Sequence, residues 1–258
     1  MAPNAEYTDK NCQGGRMKDT VFTLISNREL AKNTYEWVLN GDTEGIRPGQ
    51  FVNIKLEGFY LRRPISVCDC EDGKLTLIFK VVGQGTEKMA RAKAQDSFEV
   101  LTALGNGYDL TKSGNAPLLI GGGAGIPPMY MAAKVLRSSG VTPTVILGFN
   151  TESEIFYKEE FEKLGCKVII TTVDGSVGVK GFVTDAISEL DYTYFYACGP
   201  EPMLKAVYNA TKTSGQLSFE ERMGCGFGAC MGCTCKTKYG NKRICRDGPV
   251  LVKEEIIW

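Results

Sequence analysis

Residues 117–140 read PLLIGGGAGIPPMYMAAKVLRSSG. An apolar run with strand character leads straight into Gly121, Gly122, Gly123 and Gly125, and a helical stretch follows. That is one strand–turn–helix unit. Three more come after it: TVILGF (144–149) before SEIFYKEEFEKLG (153–165), KVIITTV (167–173) before VTDAISEL (183–190), and YTYFYAC (192–198) before PEPMLKAVYNATKTSG (200–215). Alternating βα units of this kind predict a parallel, doubly wound sheet.

Upstream the rhythm differs. VFTLIS, TYEWVL, FVNIKL, ISVCD, LTLIFKVV and SFEVLTAL are short β-like runs separated by turns, the pattern of a small barrel or sandwich. Residues 1–17 are polar and patternless and are expected to form a disordered tail. Beyond about residue 216 the chain becomes rich in glycine and cysteine. No internal repeat is visible.

Composition narrows the chemistry. The chain has 258 residues, with 30 Lys+Arg against 30 Asp+Glu, so no net field favours nucleic acid or an anionic membrane. No apolar run approaches the roughly 18 residues of a spanning helix. The N-terminus lacks the charged-then-apolar pattern of a secretory signal, and the chain reads as cytoplasmic. Histidine is absent, which removes Ser-His-Asp and Cys-His catalysis, His-ligated zinc and haem, and Rieske clusters. Ten cysteines remain, and in a reducing compartment a cluster of them points to metal or redox chemistry before disulfides.

Cys225-x4-Cys230-x2-Cys233, followed by Cys245, has the plant-type [2Fe–2S] spacing. One short loop can wrap three thiolates around two bridged irons. Gly224, Gly226, Gly228 and Gly232 let it turn tightly and aim backbone N–H groups at the sulfurs. The fourth ligand comes from another segment. Cys245 is the expected residue and Cys235 its rival. A zinc knuckle would favour paired C-x2-C hooks, whereas here one hook accompanies an x4 arm. The predicted architecture is therefore a β barrel (18–112), an α/β doubly wound parallel sheet (113–215) and a small C-terminal [2Fe–2S] module (216–258).

Two further features bear on ligands. Gly121 to Gly125 lets a backbone approach a pyrophosphate at a helix N-terminus, and Cys198-Gly199-Pro200 closes a second strand facing the same crevice. Alone, the glycines also suit a plain strand-to-helix turn. Arg63-Pro64-Ile65-Ser66 can clamp a phosphate with charge and a hydroxyl, though a solvated basic strand edge reads equally well. Ile78-Phe79-Lys80 leads to a glycine turn ending in Gly85-Thr86, where Thr86 is expected to cap a short helix.

Together, LRRPISV, GGGAGIPPM, ACGPEPML, FEERMGCGFGACMGCTC and CRDGPV resemble the ferredoxin–NADP reductase superfamily. More closely, they resemble the iron–sulfur electron-transfer subunits of class 1B dihydroorotate dehydrogenase, over residues 18–258. The resemblance implies FAD on the barrel, NAD(H) on the α/β domain and a [2Fe–2S] cluster in the C-terminal module. Arg63, Pro64, Ile65 and Ser66 would hold FAD, Ile78, Phe79 and Lys80 would line it, and Gly85 with Thr86 would take its pyrophosphate. Many superfamily reductases carry tyrosine where Ile65 stands. The resemblance further implies a partner, an FMN-containing dihydroorotate dehydrogenase catalytic subunit in a heterotetramer, and electrons running from its FMN through the cluster and FAD to NAD+. A reductase subunit feeding a sulfite reductase, a ferredoxin or an oxygenase would share the same core, and a non-catalytic redox sensor is a remoter alternative.

Overall fold

The computed structural model describes residues 17–258. The tail expected over 1–17 lies outside the described residues except for Met17, which is exposed and belongs to no strand.

Six strands form the first unit: β1 (Lys18–Ala31), β2 (Thr34–Asn40), β3 (Phe51–Ile54), β4 (Arg63–Glu71), β5 (Lys74–Lys80) and β6 (Ser97–Leu104). They close into a barrel in the order β1-β2-β5-β4-β3-β6, all neighbours antiparallel. Alternation along β5 explains the closure. Leu75, Leu77 and Phe79 turn inward onto Phe22, Trp37 and Val67, while Ile78 turns outward. A short helix, α1 (Gln84–Ala90), follows β5.

The second unit begins with β7 (Pro117–Gly122), buried along its whole length, as a central parallel strand requires. Then come α2 (Pro127–Ser138), β8 (Thr144–Phe149), α3 (Lys158–Lys163), β9 (Lys167–Thr172), β10 (Val179–Lys180), α4 (Val183–Ile187), β11 (Tyr194–Cys198), α5 (Glu201–Ala210) and β12 (Gly215–Ser218). The C-terminal segment adds a hairpin, β13 (Thr234–Thr237) with β14 (Gly240–Arg243), then α6 (Ile244–Asp247) and β15 (Val250–Val252). The sheet order is β10-β9-β8-β7-β11-β12-β15, with only β15 antiparallel to its neighbour. The chain passes from β7 to β8 on one side and from β11 to β12 on the other, so a crevice opens beyond the carboxyl ends of β7 and β11. Pairing of β12 with β15 ties the cysteine-rich segment to the sheet at both ends.

The two units share their cores. Met131 of α2 packs into the barrel interior, whereas Ile78 and Cys68 of the barrel pack with the helices on the sheet. Lys134 of α2 reaches Asp69 (2.8 Å) and Glu71 (2.9 Å) of β4. On the opposite face, Phe195, Leu217 and Leu251 pack with Ile244 and with two of the cysteines, Cys233 and Cys245.

Phe195 is fully buried in β11. Truncation of such a ring costs about 3–5 kcal/mol, so Phe195→Ala is expected to lower the guanidinium unfolding midpoint sharply. A midpoint within error of the unmodified chain would contradict this view of the shared core.

Candidate cofactor sites

The cysteine loop runs from the end of β12 to β13. Its path depends on Gly226 (φ +79°), where a side chain would fall 2.2 Å from Nδ2 of Asn53 on β3. The Asn53 amide donates to the Cys225 carbonyl (3.5 Å), so the loop is seated on the barrel. Backbone N–H groups then point at sulfur: Ala229 (3.2 Å) and Cys230 (3.4 Å) donate to Cys225 Sγ, Gly232 (3.5 Å) to Cys230 Sγ, and Cys245 (3.4 Å) to Cys233 Sγ. Among the described residues, no three metal-ligating side chains gather as tightly as a single ion would require. The sulfurs instead fall into two pairs, with Cys225 against Cys230 and Cys233 against Cys245. Two pairs of thiols ringed by N–H donors suit a two-iron cluster, which needs four thiolates in all.

The pairs differ in environment. Cys230 is exposed, whereas Cys233 and Cys245 lie in the core. Burial works against the Cys225 thiolate, but N–H groups of Cys230, Phe227 and Ala229 outweigh it and bring the thiol down to about 6. Burial, reinforced by Cys233, pushes Cys245 up to about 12, so ligation must displace a firmly held proton there. Cys235 stands apart, opposite Lys242 in the hairpin, lining a cavity with Leu204, Phe219, Leu251 and Trp258. Arg243 belongs to none of the motifs visible in the sequence. It pairs with Asp247 (3.2 Å) and donates to the Gly228 carbonyl (2.8 Å), stapling α6 and its Cys245 to the loop.

On the barrel, Arg63 to Ser66 occupy the start of β4, and Pro64 faces Asn53 across the β3–β4 ladder. The Arg63 guanidinium lies 4.6 Å above the Phe59 ring and donates to the Leu61 carbonyl (2.5 Å). Gly85 makes room for it, since a Cβ there would come within 2.0 Å of Arg63 Nε. The helix starts earlier than the sequence implied. Gly83 is its N-cap, and Thr86 sits at the third position, its hydroxyl accepting the N–H groups of Val82 (2.9 Å) and Gly83 (3.2 Å). Ile78 faces the sheet, but the Phe79 ring packs inside the barrel, edge-on to Trp37 at 5.5 Å. Lys80 forms an ion pair with Glu154 (3.1 Å) across a cleft that Thr34, Phe149 and Phe156 also line. Burial disfavours the Glu154 charge, yet Lys80 and Asn150 hold its carboxyl below the ordinary range.

The glycine turn and the Cys198–Pro200 turn meet in the crevice. Cys198 pairs with Gly121 in the β7–β11 ladder, and a side chain on Gly125 would strike the Cys198 carbonyl at 2.2 Å. Met203 fills the space above Gly122 and Gly199. Burial, aided by Glu220, raises the Cys198 thiol to about 12, so it stays protonated near neutrality. At the far rim, the Glu152 N–H bonds Ser176 Oγ (2.9 Å), and Ser176 in turn bonds Asp174 (2.6 Å). Lys180 lies over Gly175 beside them.

The basic residues of the C-terminal segment are largely spoken for. Lys242 pairs with the buried Glu255, and Lys238 donates to the Glu254 carbonyl (2.8 Å). They hold the hairpin to the chain end rather than forming a free cationic rim.

Comparison with known proteins agrees with this layout. Residues 220–257 match the model for the iron–sulfur cluster binding domain of dihydroorotate dehydrogenase B, and 119–209 match the oxidoreductase NAD-binding domain. The chain is 43% identical to the dihydroorotate dehydrogenase B (NAD(+)) electron transfer subunit of Fusobacterium nucleatum, covering 93% of this chain and 99% of that one. The corresponding Bacillus pumilus subunit is 42% identical, with 93% and 98% covered. Among solved structures, that of an NADH-dependent reduced ferredoxin-NADP oxidoreductase superposes with a TM-score of 0.84 at 29% identity, covering 93% of this chain and 90% of that one. A Neisseria gonorrhoeae ferredoxin NADP+ reductase with bound FAD and NADP shares the fold at a TM-score of 0.64 and 17% identity, over 75% of this chain and 90% of that one. With the cysteine pairs, the paired glycine turns and this full-length likeness together, the chain belongs to the family of dihydroorotate dehydrogenase B electron transfer subunits.

Proposed function

We propose that this chain receives electrons from a catalytic partner subunit that oxidises dihydroorotate on FMN, and delivers them to NAD+ for pyrimidine synthesis. Cys225 and Cys230 would hold one iron of a [2Fe–2S] cluster, Cys233 and Cys245 the other. Arg63, Pro64, Ile65 and Ser66, with Ile78, Phe79, Lys80, Gly85 and Thr86, would hold FAD. Gly121, Gly122, Gly123, Gly125, Cys198, Gly199 and Pro200 would receive NAD. When bound, these groups supply the conversion between single electrons and a hydride. The protein's own residues bind, orient and exclude water. Cys198, protonated and buried, is suited to shaping the crevice and not to proton transfer.

One observation carries the reading. The cysteine loop rests on Asn53, and Asn53 stands directly across the ladder from Pro64. A cluster in that loop and a flavin on that strand would be neighbours, with only one pair of strands between them. The likeness to an NADH-dependent reduced ferredoxin-NADP oxidoreductase favours a second reading, a reductase subunit serving another acceptor. The higher identity to dihydroorotate dehydrogenase B subunits, over nearly their whole length, ranks that reading below the first.

The finer parts of the proposal are a division into units at 18–112, 113–215 and 216–258, a cytoplasmic heterotetramer with the catalytic subunit, and docking around the exposed Cys230, Phe227 and Met231. No helix among the described residues is long and apolar enough to cross a membrane.

Cluster ligation is tested by serine substitution. Cys225→Ser, Cys230→Ser, Cys233→Ser and Cys245→Ser are each expected to lose the [2Fe–2S] absorbance, while Cys235→Ser retains it; a bleached Cys235 variant beside a coloured Cys245 variant would reverse the assignment. For the flavin, a charge-assisted hydrogen bond contributes about 1.5–3 kcal/mol, so Arg63→Ala should weaken FAD binding by roughly ten- to a hundredfold. Unchanged FAD retention on dialysis would return Arg63 to the role of a strand-edge charge. Coenzyme choice follows from the far rim. Glu154 is neutralised by Lys80, but Glu152 and Asp174 remain to oppose a 2′-phosphate, with Lys180 beside them as a counterweight. NADH is expected to give the higher kcat/KM in dye reduction, and a higher value with NADPH would refute this.

A further inference from the structure

We propose that Tyr157 is a positioning residue: its hydrogen bond to Glu36 fixes the gap between the flavin-bearing strands and the coenzyme turn. The inference rests on the flavin and NAD reading above. Tyr157 precedes α3 and is buried, yet its backbone is left-handed, with φ +62°. A bulky residue keeps such a conformation only where its surroundings over-determine it.

The surroundings are specific. The phenol donates to Glu36 Oε2 on β2 at 2.7 Å. The other oxygen of that buried carboxylate accepts Arg28 Nη2 (2.8 Å) and Nε (3.1 Å) from β1. Burial, with Cys68 and Glu36 beside it, drives the Tyr157 phenol far above its ordinary range, so it remains a donor at any working pH. The ring stands edge-on to Tyr130 of α2 at 5.1 Å. Thus one side chain touches both the barrel and the helix that springs from Gly121–Gly125.

Its neighbours locate the effect. Phe156, next in the chain, lines the cleft, as does Thr34, two residues from Glu36 on the same face of β2. Rotation of the sheet unit away from the barrel would have to break the Tyr157–Glu36 bond, together with the Lys80–Glu154 pair and the bond from the Lys32 N–H to the Ser153 carbonyl (3.5 Å). Lys134 ties α2 to Asp69 of β4, and neither residue lines the cleft. Hydride transfer is sensitive to small errors in approach, and a displacement of 1 Å can cost about a hundredfold. A bond that sets the approach therefore acts on rate more than on coenzyme affinity.

The test uses the full chain loaded with FAD and cluster. Tyr157→Phe removes the donor and keeps the ring. Flavin reduction by NADH, followed by stopped flow, is expected to slow by about ten- to a hundredfold, with KM for NADH and FAD content unchanged. The long-wavelength charge-transfer band of the NADH–flavin complex should weaken in parallel. In the FAD-free chain, amide exchange should quicken in β2 and α3. Glu36→Gln, which keeps an oxygen acceptor for the phenol, should retain most of the rate, and Glu36→Leu should behave like Tyr157→Phe. An unchanged reduction rate and band in Tyr157→Phe would overturn the proposal. So would a loss that appears only as a higher KM or as lost FAD. If NADH fails to reduce the unmodified holoprotein, the functional reading fails as well, and faster exchange in the variant would then mark the bond as structural alone.

Discussion

The arrangement depends on a close approach that only glycine permits. At Gly226 the cysteine loop lies against Asn53 with no space for a side chain. Electron transfer weakens steeply with distance, so a module carrying a cluster must meet the flavin-bearing barrel at a fixed, short separation. Gly226 supplies the approach, the Asn53 amide supplies the bond, and Arg243 ties the remote Cys245 to the same loop through Gly228. The β12–β15 pair anchors the segment from behind, which keeps a loop of little regular structure in one place.

Rigidity between barrel and sheet has two sources of different size. Met131 and Ile78 each cross from one unit into the core of the other, and full burial of such a side chain contributes about 1.5–3 kcal/mol. The charge pairs contribute less. Exposed pairs give about 0–1 kcal/mol, and the side chains of Lys80 and Lys134 are both partly open to water. Apolar contact therefore holds the units together, and the polar pairs choose one relative register among those that apolar contact alone would tolerate.

Much of this was legible in the chain. Four βα units, six barrel strands and the cysteine spacing are local patterns, each readable within about twenty residues of sequence. What escaped is pairing between distant segments. The Lys80–Glu154 pair is one case, because nothing in either stretch announces the other. The contacts of Lys238 and Lys242 are another, because their partners Glu254 and Glu255 arrive only when the chain end folds back on the hairpin. Phe79 lines the cleft with Ile78 and Lys80, although strand alternation packs its ring into the barrel core. The start of α1 was misjudged because Thr86 resembles an N-cap. Its hydroxyl does satisfy backbone N–H groups, but from the third helical position.

Backbone strain falls where these demands are greatest. Six described residues other than glycine adopt positive φ. Asn33 and Asp72 sit in hairpin turns, where such residues tolerate the left-handed region. Met231 and Tyr157 are bulky and lack that excuse, and each costs about 1–3 kcal/mol in principle. Met231 lies between Cys230 and Gly232, where the chain must reverse to aim the Gly232 N–H at the Cys230 sulfur. Tyr157 lies beside the cleft between barrel and sheet. Gln95 and Ala103, before and within β6, complete the six. Of the bulkiest two, Met231 belongs to the cluster loop and Tyr157 stands beside the cleft, the two regions whose geometry the proposed electron path depends on.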